Sequence, residues 1–220
     1  MIEQLLPALV AVGIILLVAF PVHEFSHAYM AFRLGDSTAR YMGRLTFDPR
    51  VHFDPIGGGM LILSAILFGG RFFFGYAKPT PVNPINLDGG RRGEALVALA
   101  GPASNLLMAA IVALPVRYVL FNAGLAAEIA DSEVGTFIFN IARFFIVINV
   151  FLFIFNLLPV PPLDGWKVLT GLVDARTAYS LRQLEQYAFF LILLVFFFGA
   201  SVIGPIARFV IELLVGRALI

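Results

Sequence analysis

The segment PVHEFSHAYMAFRLGD, residues 21–36, places two histidines and a glutamate near the end of a long apolar run. The run begins near Leu5 and continues to about Ala31, and roughly 20 apolar residues in a helix are enough to cross a bilayer. Ionisable side chains within such a helix cost roughly 2.5–3.5 kcal/mol each on insertion scales, so they are retained for function. The segment therefore predicts a membrane helix that carries a chemical site.

The composition indicates an integral membrane protein that lies in the lipid bilayer. Of 220 residues, 60% are hydrophobic and 13% are charged, whereas a soluble domain has about 25% charged residues. The net charge of +1 lacks the basic excess of nucleic-acid binding proteins, so no nucleic-acid partner is expected. The chain has no cysteine. A bound metal would therefore need His, Asp or Glu ligands.

Several apolar stretches predict an all-α, polytopic helical bundle with four to six membrane segments. Four of them are long enough to cross a membrane, namely residues 5–32, 95–121, 135–158 and 187–215. The last one is interrupted by glycines and a proline, which favour a kink or a break. No linker or repeat divides the chain, so residues 1–220 are expected to form a single membrane domain.

The segments between the first two predicted spans are less regular. Residues 56–77 contain Gly57-Gly58-Gly59 and Gly69-Gly70-Arg71, which predicts a re-entrant hairpin or broken helix, because irregular backbone at membrane depth must be buried in protein or line a cavity. Residues 35–55 alternate in polarity and predict a short interfacial β-hairpin. Residues 76–84 are proline-rich and should be extended.

The distribution of basic residues predicts the orientation of the chain. Eight Lys and Arg residues lie between positions 33 and 92 and three between 167 and 182, whereas residues 117–133 contain one Arg and three acids. Because basic loops are retained in the cytoplasm, both basic segments should be cytoplasmic and residues 122–134 should lie outside. The polar motifs of the first and third spans then face the cytoplasm.

His23 and His27 are four residues apart, so on a helix their imidazoles lie one turn apart and can reach one zinc ion. Glu24 completes the pattern H-E-x-x-H, in which the glutamate is the general base for water at the metal. The simpler interpretation is that these side chains cap the helix or face the cytoplasm. Their place in a membrane helix favours the metal site.

A catalytic zinc site needs a third protein ligand. Besides His52, the candidates are acids, and Asp164 stands out in NLLPVPPLDGW, residues 156–166. The prolines there prevent regular helix at the inner end of the third span, which places a carboxylate on irregular backbone on the side of His23. Asp164 is also a candidate N-cap for the next helix, and the two roles are compatible.

The motifs HEFSH (23–27), GPASN (101–105) and NLLPVPPLDG (156–165) resemble those of the site-2 protease family of intramembrane zinc metalloproteases. The likeness covers residues 18–170 and is strongest to compact prokaryotic members without PDZ or CBS domains. It implies one zinc ion held by His23, His27 and Asp164, with Glu24 activating water. It also implies a transmembrane-helix substrate and a prokaryotic cell-membrane location with the active site open to the cytoplasm.

Two positions depart from the common family pattern. Ser26 and Trp166 stand where many members have glycine. Trp166 is bulky enough to narrow a substrate groove.

Three further polar residues are candidate substrate or oxyanion contacts. Asn105 in GPASN carries a neutral amide donor suited to an oxyanion, or it forms a structural bond between helices. The same alternatives apply to Asn156 in the third span. His52 either bonds backbone or Asp54 at the interface, or folds over the zinc to contact substrate. The edge of the predicted β-hairpin is expected to bind an unwound substrate by strand addition.

Two other functions use the same residues. A metal transporter would use His23, His27 and Asp164 as a transit site, with further ligands along a pathway. A non-catalytic homologue would bind membrane helices without cutting them and would have no need of Glu24. The sequence does not predict an oligomeric state.

Overall fold

A computed structural model describes residues 2–68 and 73–216, and in these ranges the regular structure is helical throughout. The α-helices are α1 (Ile2–Ile14), α2 (Phe20–Arg33), α3 (Thr38–Tyr41), α4 (Pro49–His52), α5 (Pro55–Leu67), α6 (Arg91–Phe121), α7 (Ala123–Asp131), α8 (Glu133–Asn156), α9 (Asp164–Leu172), α10 (Ala175–Arg182), α11 (Ala188–Phe198) and α12 (Ala200–Val215). A π-helical turn, Ile15–Ala19, joins α1 to α2.

Four helices of the described chain are long and apolar enough to cross a membrane: Leu9–Arg33, Arg91–Phe121, Glu133–Asn156 and Ala175–Phe198. The first three confirm the predicted spans. The fourth begins earlier than expected and ends at Phe198. The predicted break at Gly199 is confirmed, since α12 starts at the next residue.

α6 lies at the centre of the bundle and contacts α2, α8, α9 and α12. Small and β-branched residues of α6, α8 and α12 fill the largest core cluster, which comprises Ala109, Ala113, Val116, Ile146, Val150, Ile154, Ile203, Ile211 and Val215. In a membrane, helices associate through such close packing rather than through a hydrophobic driving force. The alanines of α6 let α8 approach closely.

The predicted β-hairpin over residues 35–55 is wrong, because the described chain forms two short helices there, α3 and α4, and no strand. The carboxylate of Asp48 accepts a hydrogen bond from Arg50 N, and Asp54 accepts from Ile56 N and Gly57 N. A proline follows each aspartate at the first helical position. This pairing of an Asp N-cap with proline starts helices, so the segment has no strand edge for a substrate.

Within residues 56–77, the described residues form a helix, up to Leu67, and the beginning of a return arm, from residue 73. α5 has 13 residues and is about 20 Å long, too short to cross a bilayer. The arm, residues 73–83, has no helix or strand and runs back along α5: Phe74 N donates to Ser64 Oγ at 2.8 Å and Lys78 N donates to the His52 carbonyl at 2.8 Å. The glycine break predicted at Gly69-Gly70-Arg71 lies outside the described residues.

The buried carboxylate of Asp36 holds the far end of this arm to the end of α2. It accepts hydrogen bonds from Thr38 N, from Asn83 N at 2.7 Å and from Asn86 Nδ2 at 3.1 Å. Burial by itself would raise the pKa of Asp36, but these hydrogen bonds outweigh it and lower the pKa. Asp36 therefore remains charged and fixes the arm to α2.

Asp36→Asn should lower the free energy of unfolding by about 3 kcal/mol at neutral pH, because an amide nitrogen would face donors that now bond a carboxylate. The unfolding of the two proteins is compared through the fluorescence of the single tryptophan. The folded-state pKa lies below the unfolded value of about 3.9, so the stabilisation is present above that pH and is lost as the pH falls through the lowered value. Equal stability of both proteins at neutral pH would contradict this role. Asp48→Asn, at a partly exposed N-cap where asparagine caps as well as aspartate, is the matched control and should change little.

Candidate metal centre

The side chains of His23, His27 and Asp164 converge at one point between α2 and α9. The two Nε2 atoms lie 3.0 Å apart, and Asp164 Oδ2 is 3.1 Å from His23 Nε2 and 3.3 Å from His27 Nε2. The histidines are buried and the aspartate is nearly so. Two imidazole nitrogens and one carboxylate oxygen in this arrangement could hold a metal ion.

Gly101 of α6 lets the two imidazoles lie directly against the helix backbone. A Cβ atom at this position would overlap the His27 ring and would come within 2.7 Å of His23 Nε2. Pro102 follows in the helix interior and is fully buried. Glycine is therefore required at position 101 by the close approach of α2 and α6, which explains the first residue of the GPASN motif.

Hydrogen bonds on the far side of each ring fix which nitrogen carries the proton. His27 Nδ1 lies 2.7 Å from the Val97 carbonyl oxygen, and His23 Nδ1 lies 2.6 Å from Asn105 Oδ1. A carbonyl oxygen only accepts, so His27 donates from Nδ1 and leaves the lone pair of Nε2 directed at the candidate metal position. Such bonds orient metal-binding histidines in proteins.

A buried chain of amides sets the orientation of Asn105 in the same way. The carbonyl of Phe145 accepts from Asn149 Nδ2 at 2.9 Å, and Asn149 Oδ1 then accepts from Asn105 Nδ2 at 2.9 Å. The Asn105 oxygen is thereby left to accept from His23. Asn105 and Asn149 are fully buried, so α6 and α8 together determine the tautomer of a ring on α2.

Sequence reasoning missed Asn149. Its position could have indicated a buried contact, since it is an amide seven residues before Asn156 on the same apolar helix. Polar groups within a membrane span face protein rather than lipid.

Glu24 is also buried, and residue Thr80 of the return arm holds it from two directions. Thr80 N donates to Glu24 Oε2 at 2.7 Å, and the Thr80 hydroxyl donates to the Glu24 backbone carbonyl at 2.9 Å. The first bond engages one carboxylate oxygen. The other, Oε1, makes no hydrogen bond to the described residues and is free to take a proton.

Asp164 is the first residue of α9, and the N-cap position falls on Leu163 rather than on Asp164. The carboxylate therefore faces the histidines instead of capping its helix. α9 is held by its neighbours: Arg91 donates to the Val173 carbonyl at 3.2 Å, and the buried Trp166 donates from its indole to Glu185 Oε1 at 2.9 Å. Trp166 thus packs α9 onto the turn that precedes α11.

His52 and Asn156, the remaining two candidate substrate contacts, are not part of the group formed by His23, His27 and Asp164. His52 is buried, with Nε2 2.8 Å from the Thr46 carbonyl oxygen, and its Nδ1 is the one buried side-chain polar atom of the described chain without a hydrogen-bond partner. Asn156 donates to the Leu152 carbonyl of its own helix at 2.9 Å. Neither belongs to the group that could hold a metal.

Comparisons with known proteins indicate a zinc metalloprotease. The sequence profile described as peptidase family M50 matches residues 122–200, which include Asp164. "Putative zinc metalloprotease YwhC" of Bacillus subtilis is 37% identical over 207 residues, covering 92% of this chain and 86% of the relative. "Putative zinc metalloprotease Rip2" is 30% identical in Mycolicibacterium smegmatis and 31% identical in Mycobacterium tuberculosis, covering 80% and 82% of this chain.

The matched region spans 62% and 64% of the length of these two Rip2 proteins. No solved structure matches the chain.

Asn149→Leu should weaken zinc binding about 10- to 100-fold, the usual effect of removing a group that orients a metal ligand, because Asn105 would lose the partner that directs its oxygen to His23. Asn156→Leu is the matched control: it removes the same side chain from the same helix but breaks only a bond within α8. Zinc affinity is measured by competition with a chelator. Equal affinities of the two variants would contradict the role of Asn149.

Proposed function

The chain belongs to peptidase family M50, the site-2 proteases, and from this premise we propose that it hydrolyses peptide bonds within or near transmembrane helices of other membrane proteins. The observation that carries the proposal is the convergence of His23 Nε2, His27 Nε2 and Asp164 Oδ2, with Glu24 beside the first histidine. Four helices long and apolar enough to cross a membrane surround this group or continue from it. A hydrolytic site built into such helices suits a substrate that lies in the bilayer.

We assign His23, His27 and Asp164 as the ligands of one zinc ion per chain. The donor set of two neutral imidazoles and one carboxylate is typical of catalytic zinc, which keeps a further position open. The hydrogen bonds from both Nδ1 atoms support this assignment, because they present both Nε2 lone pairs to the same point. When bound, zinc would lower the pKa of a water molecule towards about 7 and polarise the peptide carbonyl.

Glu24 is assigned as the general base. Its carboxylate takes a proton from the attacking water as the carbon–oxygen bond forms, and it delivers that proton to the amide nitrogen as the carbon–nitrogen bond breaks. The products are a carboxylate and an amine. The Thr80 amide supports this role because it holds Oε2 and leaves Oε1 to carry the proton.

Asn105 is assigned as a positioning residue rather than as an oxyanion donor. Its Nδ2 donates to Asn149 and its Oδ1 accepts from His23. The nitrogen that would have to stabilise an oxyanion is thus already engaged in the buried amide chain. A substrate contact by Asn156 or His52 would require each side chain to leave its present bond to a backbone carbonyl.

We propose that the site opens to the cytoplasm of a prokaryotic cell membrane and takes part in regulated intramembrane proteolysis. The basic residues between positions 33 and 92 follow the span that carries His23 and His27 in sequence, and those between 167 and 182 follow Asp164; such basic connections between spans remain in the cytoplasm. The bacterial sources of the relatives support the prokaryotic location.

Family membership supports the protease over the alternative functions. A metal transporter would need further ligands along a pathway, and a non-catalytic helix-binding homologue would not need Glu24. The hydrogen bond from the Thr80 amide that holds the Glu24 carboxylate in place favours a residue with a chemical task.

Glu24→Gln should keep the zinc and the fold while lowering cleavage by more than the 10²–10⁴-fold usual for proton transfer alone, because the same carboxylate also positions the water. Zinc content and cleavage of a reconstituted single-span substrate are measured on one preparation, with and without a chelator. Glu128→Gln on α7, exposed at the opposite end of the bundle, is the control and should cleave normally. Cleavage at the wild-type rate by Glu24→Gln would exclude this mechanism, and joint loss of metal and activity would make Glu24 a ligand.

Single cysteines test the orientation without background, because the chain has none. A membrane-impermeant thiol reagent applied to intact cells should label Ala130→Cys and should leave Arg40→Cys unlabelled until the cells are opened. Both positions are exposed on the protein. Labelling of position 40 but not of position 130 in intact cells would reverse the orientation.

A further inference from the structure

Arg143 lies in the middle of a membrane-spanning helix. It comes ten residues after the start of α8 at Glu133 and thirteen before its end at Asn156, or about 15 and 20 Å along the axis. Its side chain is exposed on the protein surface, so it faces the hydrocarbon region. A charged group at this depth is costly and marks a functional site by default.

A second arginine, Arg208 of α12, faces the same groove. The groove between α8 and α12 has a volume of about 390 Å³ and includes Val147, Gly204 and Ile211 in its lining. It continues around α12 into a second cavity of about 490 Å³. Glu212 and Pro205 line this cavity in addition to Gly204 and Arg208. Gly204 leaves open space at its Cα, which allows another helix to approach closely.

Neither guanidinium group forms an ion pair within the described chain. No carboxylate of the described residues lies within 4.0 Å of either one, and the guanidinium carbon of Arg143 lies 5.8 Å from the centroid of the neighbouring Phe144 ring. Glu212 lies one turn from Arg208 without pairing with it. The groove therefore carries two positive charges and one negative charge.

Arg117, in contrast to Arg143, lies where an arginine needs no anionic partner. It lies four residues from the end of α6, donates to the Leu213 carbonyl at 3.3 Å and stacks over Phe121. A side chain so close to a helix end can reach the polar interface. Arg143 has no such position, so its charge requires an anionic group within the membrane.

We propose that the groove lined by Arg143 and Arg208 binds a transmembrane helix of another protein that carries an Asp or Glu near the middle of its span. A carboxylate at that depth would form charge-assisted, bidentate hydrogen bonds with a guanidinium, and these bonds are strengthened by the low dielectric. A lipid phosphate fits the site less well, because headgroups lie at the membrane surface and Arg143 is about 15 Å along α8 from its nearer end.

This groove is separate from the metal group, although α8, which lines the groove, also carries Asn149 of the buried amide chain. On α8, Ile146, Asn149 and Val150 are buried towards α6, whereas Arg143 and Val147 are exposed on the lipid-facing surface. Asn149 belongs to the amide chain that orients His23. The bound helix would therefore contact the outer face of an element whose inner face supports the active site, without occupying that site. The proposal depends on insertion in a membrane and does not depend on proteolysis.

The test uses the full-length protein in phosphatidylcholine vesicles with two synthetic transmembrane helices of leucine and alanine that differ only in one central residue, Glu or Gln. Association is measured by energy transfer at pH 7.5 between fluorophores on the protein and on the peptide. The wild type should bind the Glu helix roughly tenfold more tightly than the Gln helix, within the range of polar contacts between membrane helices. The preference should disappear in the double variant Arg143→Gln/Arg208→Gln.

Two further variants make the result specific. Arg117→Gln removes an arginine outside the groove and should keep the tenfold preference. Arg143→Lys/Arg208→Lys keeps the charge and should retain part of the preference, which separates lost charge from lost folding. Zinc content and tryptophan fluorescence establish that each variant is folded.

Three outcomes would overturn the proposal. The first is equal binding of the two peptides by the wild type, or a preference that survives in the glutamine double variant. The second is loss of the wild-type preference when phosphatidylglycerol replaces part of the phosphatidylcholine, which would make a lipid headgroup the occupant. The third is self-association that both Glu212→Gln and the double variant abolish, which would make a second copy of the chain the occupant.

Discussion

The contact of two imidazole rings with the backbone of α6 at Gly101 is the constraint on which the rest of the site depends. Without a Cβ atom at that position, the rings of His23 and His27 lie against α6, and their outer nitrogens reach Asn105 and the Val97 carbonyl. The inner nitrogens are then directed at Asp164. Three polar groups that would be costly in an apolar environment thereby form one group that could hold a metal ion.

The return arm holds two carboxylates that lie far before it in the sequence, those of Glu24 and Asp36. Its Thr80 holds the Glu24 carboxylate, and Asn83 three residues later is held by Asp36 at the end of α2. The arm is therefore bound both to α2, at Glu24, and to the segment that directly follows α2, at Asp36. Because α2 also carries both histidines, Glu24, the proposed base, and two candidate metal ligands are positioned by one helix, with the arm fixed to it.

Much of the site could be predicted from the sequence because its parts are local. The i, i+4 histidines on a helix and the proline-framed Asp164 depend on spacing and backbone restriction, and both are visible without a partner segment. Asn149 could not be recognised as readily, since its significance arises only from the packing of α8 on α6. The β-hairpin prediction is wrong because the two Asp-Pro pairs, which start α4 and α5, are a stronger local signal than the alternation of polarity over residues 35–55.

The coordination of zinc by His23, His27 and Asp164 is tested most directly by X-ray absorption spectroscopy of the purified protein loaded with one equivalent of zinc. The expected spectrum has two imidazole nitrogens at about 2.0–2.1 Å and carboxylate or water oxygens at about 2.0–2.2 Å. The outer-shell scattering of one ring should disappear in His27→Ala. A third imidazole, which only His52 could supply among the three histidines of the chain, or a spectrum without imidazole, would contradict the assignment.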